Sequence, residues 1–287
     1  MNLKKIFRIL LFFCIIAFIS CGDNDERKKE IYSLSFEKEY YEAPLLWKKS
    51  ILVRGGNRDY TVAVEKANIL DASMDISSLT GMGSLVINPK QKGETTVTVK
   101  DNITKETVVL KIKVIDTYLA YAITKSNHPA LSQGTIVYLI NNEAKDCYFF
   151  RYEDSGLETY SMPTAKGTYG FSTKKEYGIG NSSPTYFIPY LTLNYVSDEQ
   201  GSFTEVAIQP TPHQLRFEMY DGTTNNVVIS MIQACLSVDW KVLTQEALKG
   251  TKSDVHQPML KTTIDDTDYV IIGTLNTTPT IPESILE

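Results

Sequence analysis

The sequence predicts a mainly β chain with two folded parts: a β-sandwich over residues 31–116 and a second, mostly antiparallel β domain over residues 117–287 with one short helix. Three observations carry this expectation. Apolar residues recur at every second position in short runs, as in Tyr60-Val62-Val64 and Val108-Leu110-Ile112-Val114, which is the period of a half-buried strand. Turn-forming clusters separate the runs: Arg54-Gly55-Gly56-Asn57, Gly81-Met82-Gly83 and Asp101-Asn102. Helical spacing shows in one folded segment only, Val238 to Leu248, where Trp240, Val242, Leu243 and Leu248 precede the stop at Gly250.

Residues 1–20 come first and are expected to leave the chain. Lys4, Lys5 and Arg8 form a basic start, and Ile9 to Ile19 then runs without a charge, the pattern of a signal peptide. A permanent span needs about 20 apolar residues, and this run is interrupted by Arg8 and stops at Ser20. Phe18-Ile19-Ser20-Cys21-Gly22 resembles the bacterial lipobox, in which a small residue precedes a cysteine that takes a diacylglyceryl group and becomes the first residue. The resemblance implies lipidation at Cys21, with diacylglycerol and palmitate as the attached chains. Each buried CH₂ contributes about 0.8 kcal/mol, so several chains on one residue anchor a protein almost permanently.

Residues 21–30 hold no apolar side chain beyond Cys21 itself and read as a solvated tether. The acids Asp23, Asp25 and Glu26 close behind the cysteine resemble the signal that sends some Gram-negative lipoproteins to the outer face of the outer membrane; the plain alternative is an acidic spacer. The expected location is therefore the outer membrane, at the cell surface. Loss of Lys4, Lys5 and Arg8 moves the formal net charge from −5 to −8. An acidic chain without a basic stripe is a poor binder of nucleic acid, whose phosphates demand clustered Lys and Arg.

Within residues 31–116, six or seven strands at this spacing fit a β-sandwich. The segment Gly83 to Asp101 runs Leu85-Val86-Ile87 into Asn88-Pro89-Lys90-Gln91-Lys92-Gly93 and then Thr95-Thr96-Val97-Thr98-Val99. It resembles the second half of a bacterial Ig-like domain of group 2, in which a strand, a glycine turn and a Thr/Val strand precede the final strand, here Val108 to Val114. Tyr60 to Leu70 fits the earlier part, with Ile69 as the apolar strand residue. The resemblance covers about 85 residues; it implies a spacer or adhesion module and brings no catalytic residues.

Residues 117–287 resemble no family. Expected strands are Tyr118–Ile123, Thr135–Ile140, Cys147–Tyr152, Tyr186–Tyr195, Phe203–Ile208, Leu215–Tyr220, Val227–Cys235 and Tyr269–Gly273, with a hairpin signal at Asp221-Gly222 and a loose tail from Asn276 to Pro282. Cys147 and Cys235 lie in two of these runs. Two readings stand: a disulfide, worth about 4 to 5 kcal/mol by loop closure in an exported protein, or two buried thiols packed as small apolar groups.

Nine of the 17 tyrosines fall between Tyr138 and Tyr195. Tyr169, Phe171, Tyr177, Tyr186 and Tyr190, with Trp240, are candidates for a ligand face: flat aromatic surfaces beside polar groups suit sugar rings. The competing reading places them in strand cores and edges. No catalytic residue, cofactor or metal site is assigned. Gly-x-Ser-x-Gly, His-Glu-x-x-His, phosphate-loop and dinucleotide patterns are absent, and the tripeptide Asp154-Ser155-Gly156 stands between Glu153 and Leu157, without the glycines that flank it in the serine-protease signature. His128, His213 and His256 stand apart and read as surface or capping residues; Asp265-Asp266-Thr267-Asp268 reads as a turn. The expected partners are the membrane, through the lipid, and a polysaccharide or a surface protein met through strand edges; a hydrolase built on paired carboxylates is the remotest reading.

Overall fold

Alternation in the first part of the chain becomes seven strands: β1 (Tyr40–Pro44), β2 (Lys49–Leu52), β3 (Tyr60–Val64), β4 (Leu70–Ile76), β5 (Gly83–Pro89), β6 (Gly93–Asp101) and β7 (Thr107–Ile115). The computed structural model describes residues 31–151, 162–177, 185–206, 209–219, 226–243, 258–264, 267–277 and 280–286. The leader, Cys21 and the tether lie outside them. The strands form two sheets, ordered β1-β7-β6-β3 and β2-β5-β4, with β1 parallel to β7 and the other neighbours antiparallel.

Leu85 and Ile87 of β5 meet Val97 and Val99 of β6 and Leu110 and Ile112 of β7 in one core, none with any exposed surface. The Thr residues between them face outward more, because successive side chains on a strand point to opposite faces. The turn from Pro89 to Gly93 depends on its glycine. Gly93 has φ 144°, which L side chains rarely adopt, and a Cβ there would lie 3.1 Å from Ile69 Cδ1. Asp101 is fully buried and its carboxylate accepts from the backbone N–H of Asn57, Ile103 and Thr104 and from the Asn57 amide. Burial alone would raise its pKa, yet these hydrogen bonds carry it below the usual carboxylate value.

The remaining strands, β8 (Tyr118–Ser126), β9 (Thr135–Ile140), β10 (Asp146–Arg151), β11 (Ala165–Tyr177), β12 (Thr185–Tyr195), β13 (Thr211–Met219), β14 (Pro258–Ile264) and β15 (Thr267–Asn276), close into an eight-stranded antiparallel barrel. Closure comes from β15 pairing back to β8, with a bulge between Ile272 and Gly273. A Cβ on Gly273 would lie 2.5 Å from the Ala122 carbonyl oxygen and 2.9 Å from the Tyr121 ring, so a larger residue would push the two strands apart. The interior is filled by Leu119, Tyr121, Val137, Leu139, Phe149, Leu193, Tyr195, Leu215 and Leu260, a packed core and not a channel.

The connection from β13 to β14 holds the two helices found among the described residues, α1 (Asn226–Leu236) and α2 (Trp240–Leu243). The expected strand Val227–Cys235 is therefore a helix. Val228, Ile229, Ile232, Cys235 and Leu236 lie on one face and join the barrel core. Burying each such side chain is worth about 1.5–3 kcal/mol, against a few tenths lost to the weak helix propensity of each β-branched residue. The expected helix over Val238–Leu248 appears as α2, whose start is capped by Asp239 Oδ1 accepting from the N–H of Lys241 and Val242; its later residues lie outside the described ones. Trp240 Nε1 donates to Ile229 O at 3.1 Å, and Lys145 Nζ donates to Leu236 O at 3.0 Å, which fixes the helices over the barrel end where β9 turns into β10.

Phe203 forms a single bridge with Ser197 in place of the expected strand over Phe203–Ile208, of which Ala207 and Ile208 lie outside the described residues. Strands β11 and β14 were not expected in the sequence. Nor is the segment after β15 loose: Ile281 and Leu286 are 2% and 4% exposed and pack on Tyr118, Ile136, Tyr138, Ile140 and Phe150, the outward side chains of β8, β9 and β10. Tyr138 OH donates to Thr280 O, and Ile281 N donates to Tyr118 OH. The same strap reaches the first sheets, through Ser284 N to Glu42, the pair Lys38–Glu283, and Lys113 Nζ to Leu286 O.

Candidate functional site

Strand parity decides what the barrel wall shows to solvent. On β12 and β13 the residues Leu191, Leu193, Leu215 and Phe217 point inward, so Tyr190, Gln214 and Arg216 point outward. On β14 Leu260 is inward and Lys261 outward. Register then aligns them: Tyr190 pairs with Arg216, Arg216 with Lys261, and Lys261 with Val270. One row across four strands thus carries a phenol, a guanidinium, an ammonium and an isopropyl group.

This row forms the floor of a groove of about 560 Å³, completed by Gln214, Thr262, Asp268 and Tyr269. Lys174 of β11 places its ammonium 4.5 Å from the centroid of the Tyr190 ring and donates to Gln214 Oε1. Thr262 Oγ1 donates to Gln214 O at 3.3 Å. The Tyr269 ring meets His128 edge-on at 5.1 Å, which ties one wall of the groove to the buried loop between β8 and β9. Among the described residues that line it, Asp268 is the one carboxylate. The groove therefore combines an aromatic ring, an amide, hydroxyls and charged side chains of both signs, the equipment of a binding surface.

The aromatic candidates divide. Tyr190 lines the groove. Tyr169 is core: it is 5% exposed and its OH donates to Ile140 O, and burial pushes its phenol well above the ordinary value. Trp240 is core as well, with its ring edge-on to Phe171 at 5.6 Å, and Phe171 is half-buried against the same cluster. The backbones of Tyr177 and Tyr186 lie far along the β11–β12 ribbon, where Tyr177 pairs with Thr185 and Tyr186 with Glu176; their side chains lie outside the described residues. Arg216, Lys261 and Gln214 escaped the sequence reading, and Asp268, expected in a turn, is the second residue of β15; only the pairing of strands from separate stretches brings them together.

Cys147 and Cys235 are free thiols, both fully buried, so of the two readings open in the sequence the structure takes the second. Burial pushes Cys147 up to about 12 and Cys235 up to about 11. His128 is buried, not at the surface, and it does cap: its Nδ1 accepts from the N–H of Ala130 and Leu131. Burial, aided by His213, lowers its pKa to about 4. His213 lies 2.9 Å from Ser197 Oγ, but its ring is stacked on Tyr195 at 4.2 Å and Ser197 is buried, so the contact serves the interior. His256, Asp154-Ser155-Gly156 and Asp265-Asp266 lie outside the described residues. Among the described residues no three His, Cys, Asp or Glu side chains gather closely enough to hold a metal ion.

No family model matches this chain, and no curated protein matches it. Among solved structures it is similar, in part, to the S-layer protein rSbsC(31-844), at 12% identity over 64% of this chain and 25% of that one, with a TM-score of 0.26. Domains 5–6 of SbsC give 12% identity, 64% and 97% coverage and 0.26; domains 4–9 give 11%, 66% and 32%, and 0.25. This chain spans a quarter of the length of the first, and at these scores the likeness fixes no shared fold.

Proposed function

We propose that this chain is an exported lipoprotein, acylated at Cys21 and held at the outer membrane, in which an Ig-like module over residues 31–116 carries a barrel domain over residues 117–287 that binds glycan. Two sheets over one core, with the Pro89–Gly93 turn between β5 and β6, support the Ig-like reading of the first module. The observation behind the binding role is the outer-wall groove, where Tyr190 stands in register with Arg216 and Lys261 beside Gln214 and Thr262. A phenol ring offers a face to sugar C–H bonds while the amide, hydroxyls and cations meet oxygen atoms around it. The test is affinity electrophoresis of residues 22–287 through gels holding single polysaccharides. Retardation by at least one polymer, lost in Tyr190→Ala at unchanged melting temperature, is expected; free migration through every polymer would remove the glycan reading. Membrane fractionation of Cys21→Ser tests the anchor, since the variant should stay unprocessed and appear without acyl chains.

A second reading rests on the β11–β12 ribbon. From Tyr169 to Tyr177 and from Thr185 to Pro189 these strands pair with each other beyond the ladders of β10 and β13, leaving ribbon edges suited to strand addition by another protein. It predicts a protein partner lost when a proline is placed at Thr173, with polysaccharide retardation unaffected.

A further inference from the structure

The first module presents a cluster of apolar side chains at one end. Register defines that end: Leu52 pairs with Ser84, Ile76 with Gly83 and Tyr60 with Asp101. The barrel joins at the other end, where Gly93 pairs with Val114 and β7 runs out at Ile115. Among the described residues thirteen large apolar side chains stand well out into solvent, and six of them, Ile31, Leu52, Ile76, Leu79, Met82 and Ile103, gather here. Ile31, Met82 and Ile103 also line one groove of about 460 Å³ together with Val53 and Tyr60. Turn tips favour glycine and small polar residues. Yet Leu79, 96% exposed, is the apolar residue of Ser77-Ser78-Leu79-Thr80-Gly81, and Ile103 that of Asp101-Asn102-Ile103-Thr104-Lys105. Both turns are tied down: Gly81 N donates to Ser77 O, and the Asp101 carboxylate accepts from the N–H of Ile103 and Thr104. Apolar groups held out by fixed turns, in a patch rather than singly, mark a contact surface.

What the patch meets follows from where the chain leaves the lipid, an inference that rests on the anchoring at Cys21 proposed above. Ile31 belongs to the patch, and ten Cα steps separate it from Cys21, a reach of at most about 36 Å. Residues 22–30 carry no apolar side chain, so the composition of the tether offers nothing to cover Leu79, Met82 or Ile103. Anchoring at Cys21 keeps the bilayer within reach of this end at all times, whereas a soluble partner must arrive by diffusion. We propose that this end of the first module docks on the lipid surface, with Ile31, Leu79, Met82 and Ile103 entering the boundary between headgroups and acyl chains. Such contact gains from buried apolar area without any segment crossing the membrane. The nine residues of β7 run from the patch to the barrel and span about 26 Å, so docking in this way stands the barrel clear of the lipid.

The experiment holds residues 22–287 on phosphatidylcholine vesicles through a histidine tag ahead of Gly22 and a nickel-chelating lipid, and reads a nitrobenzoxadiazole dye on one introduced thiol. Cys147 and Cys235 are buried, so Leu79→Cys, Ile103→Cys and, on the barrel, Val206→Cys can each be labelled alone. On vesicles the dye at positions 79 and 103 should shift to the blue and be quenched by nitroxide-bearing lipids, and the dye at 206 should do neither. The shift should persist at about 0.5 M salt, which screens charge and leaves apolar contact intact. With the dye moved to Met82→Cys, adding Leu79→Ser and Ile103→Ser should cut the quenching at least about threefold at an unchanged melting temperature. Quenching at 79 and 103 no greater than at 206 would overturn the proposal. A shift lost in salt would show a contact made by charge and overturn it too. A blue shift that needs no vesicles and grows with protein concentration would give the patch to a second copy of the chain, with the same consequence. The tag stands in for the acyl chains, so this result does not depend on the Cys21→Ser fractionation, and either reading can fail alone.

Discussion

Removing the two apolar anchors of the 280–286 strap should loosen the barrel by an amount that its packing sets. Ile281 and Leu286 are 2% and 4% exposed and cover the outward side chains of β8, β9 and β10. Truncating a buried Ile or Leu to alanine costs about 2–5 kcal/mol. The strap lies on the outer wall and not inside the barrel, so neighbours can relax into the gap, and the lower end, about 2–3 kcal/mol for each substitution, is expected. The double variant Ile281→Ala/Leu286→Ala should lose about 4–6 kcal/mol, lowering a urea midpoint by about 1–2 M at a slope near 3 kcal/mol per M. Fluorescence follows this directly: the chain has two tryptophans, Trp240 in the barrel core and Trp47 packed against the same cluster. Val206→Ala, at a site 89% exposed, serves as control and should move the midpoint little. A double variant that unfolds with the control would refute the argument, because it would mean that the outward Tyr118, Tyr138 and Phe150 need no cover.

Two further outcomes follow from buried titratable groups. His128 has a folded pKa of about 4 against about 6.5 unfolded, so unfolding takes up a proton between these values. Its neutral burial contributes stability that is whole above pH 6.5 and is lost as pH falls towards 4, up to about 3 kcal/mol. Urea midpoints from pH 7 to 4 should therefore fall less steeply in His128→Asn than in the parent, and parallel slopes would dismiss the assignment. Cys147 and Cys235 should both ignore a thiol reagent at pH 8 in the native protein and both react in denaturant; a chain starting at Gly22 that yields no thiol when unfolded would instead reveal a disulfide.

Legibility in the sequence followed burial. The strands of the first sheets could be read because one face is apolar and the other polar, as in β6, where Val97 and Val99 alternate with Thr96 and Thr98. In the barrel, β9 is buried on both faces and shows as the unbroken run Thr135–Ile140. Helix α1 carries the same kind of run, Val227-Val228-Ile229, which reads as a strand; the spacing of Val228, Ile229, Ile232, Cys235 and Leu236 is the helical signal that the β-branched residues obscure. Strand β11 hid behind Gly167 and Gly170, glycine being a poor strand former; at Gly167 a Cβ would lie 2.1 Å from Asn194 O, so the close approach of β12 requires it. Of the groove, only Tyr190 could be nominated from the sequence, because the meeting of Arg216 with Lys261 depends on register and not on spacing along the chain.

Seven of the eight ladders in the barrel join strands that follow one another in sequence, and the eighth, between β8 and β15, joins residues about 150 positions apart. By loop-closure entropy that seam is expected to form last, and its closure to be the slow step of folding. Until it closes, β8 and β15 each present a bare row of amide and carbonyl groups to any passing strand, so self-association should compete during this interval and fade once the seam is made. Gly273, at the bulge where the two strands touch, is placed to govern how quickly that vulnerable interval ends.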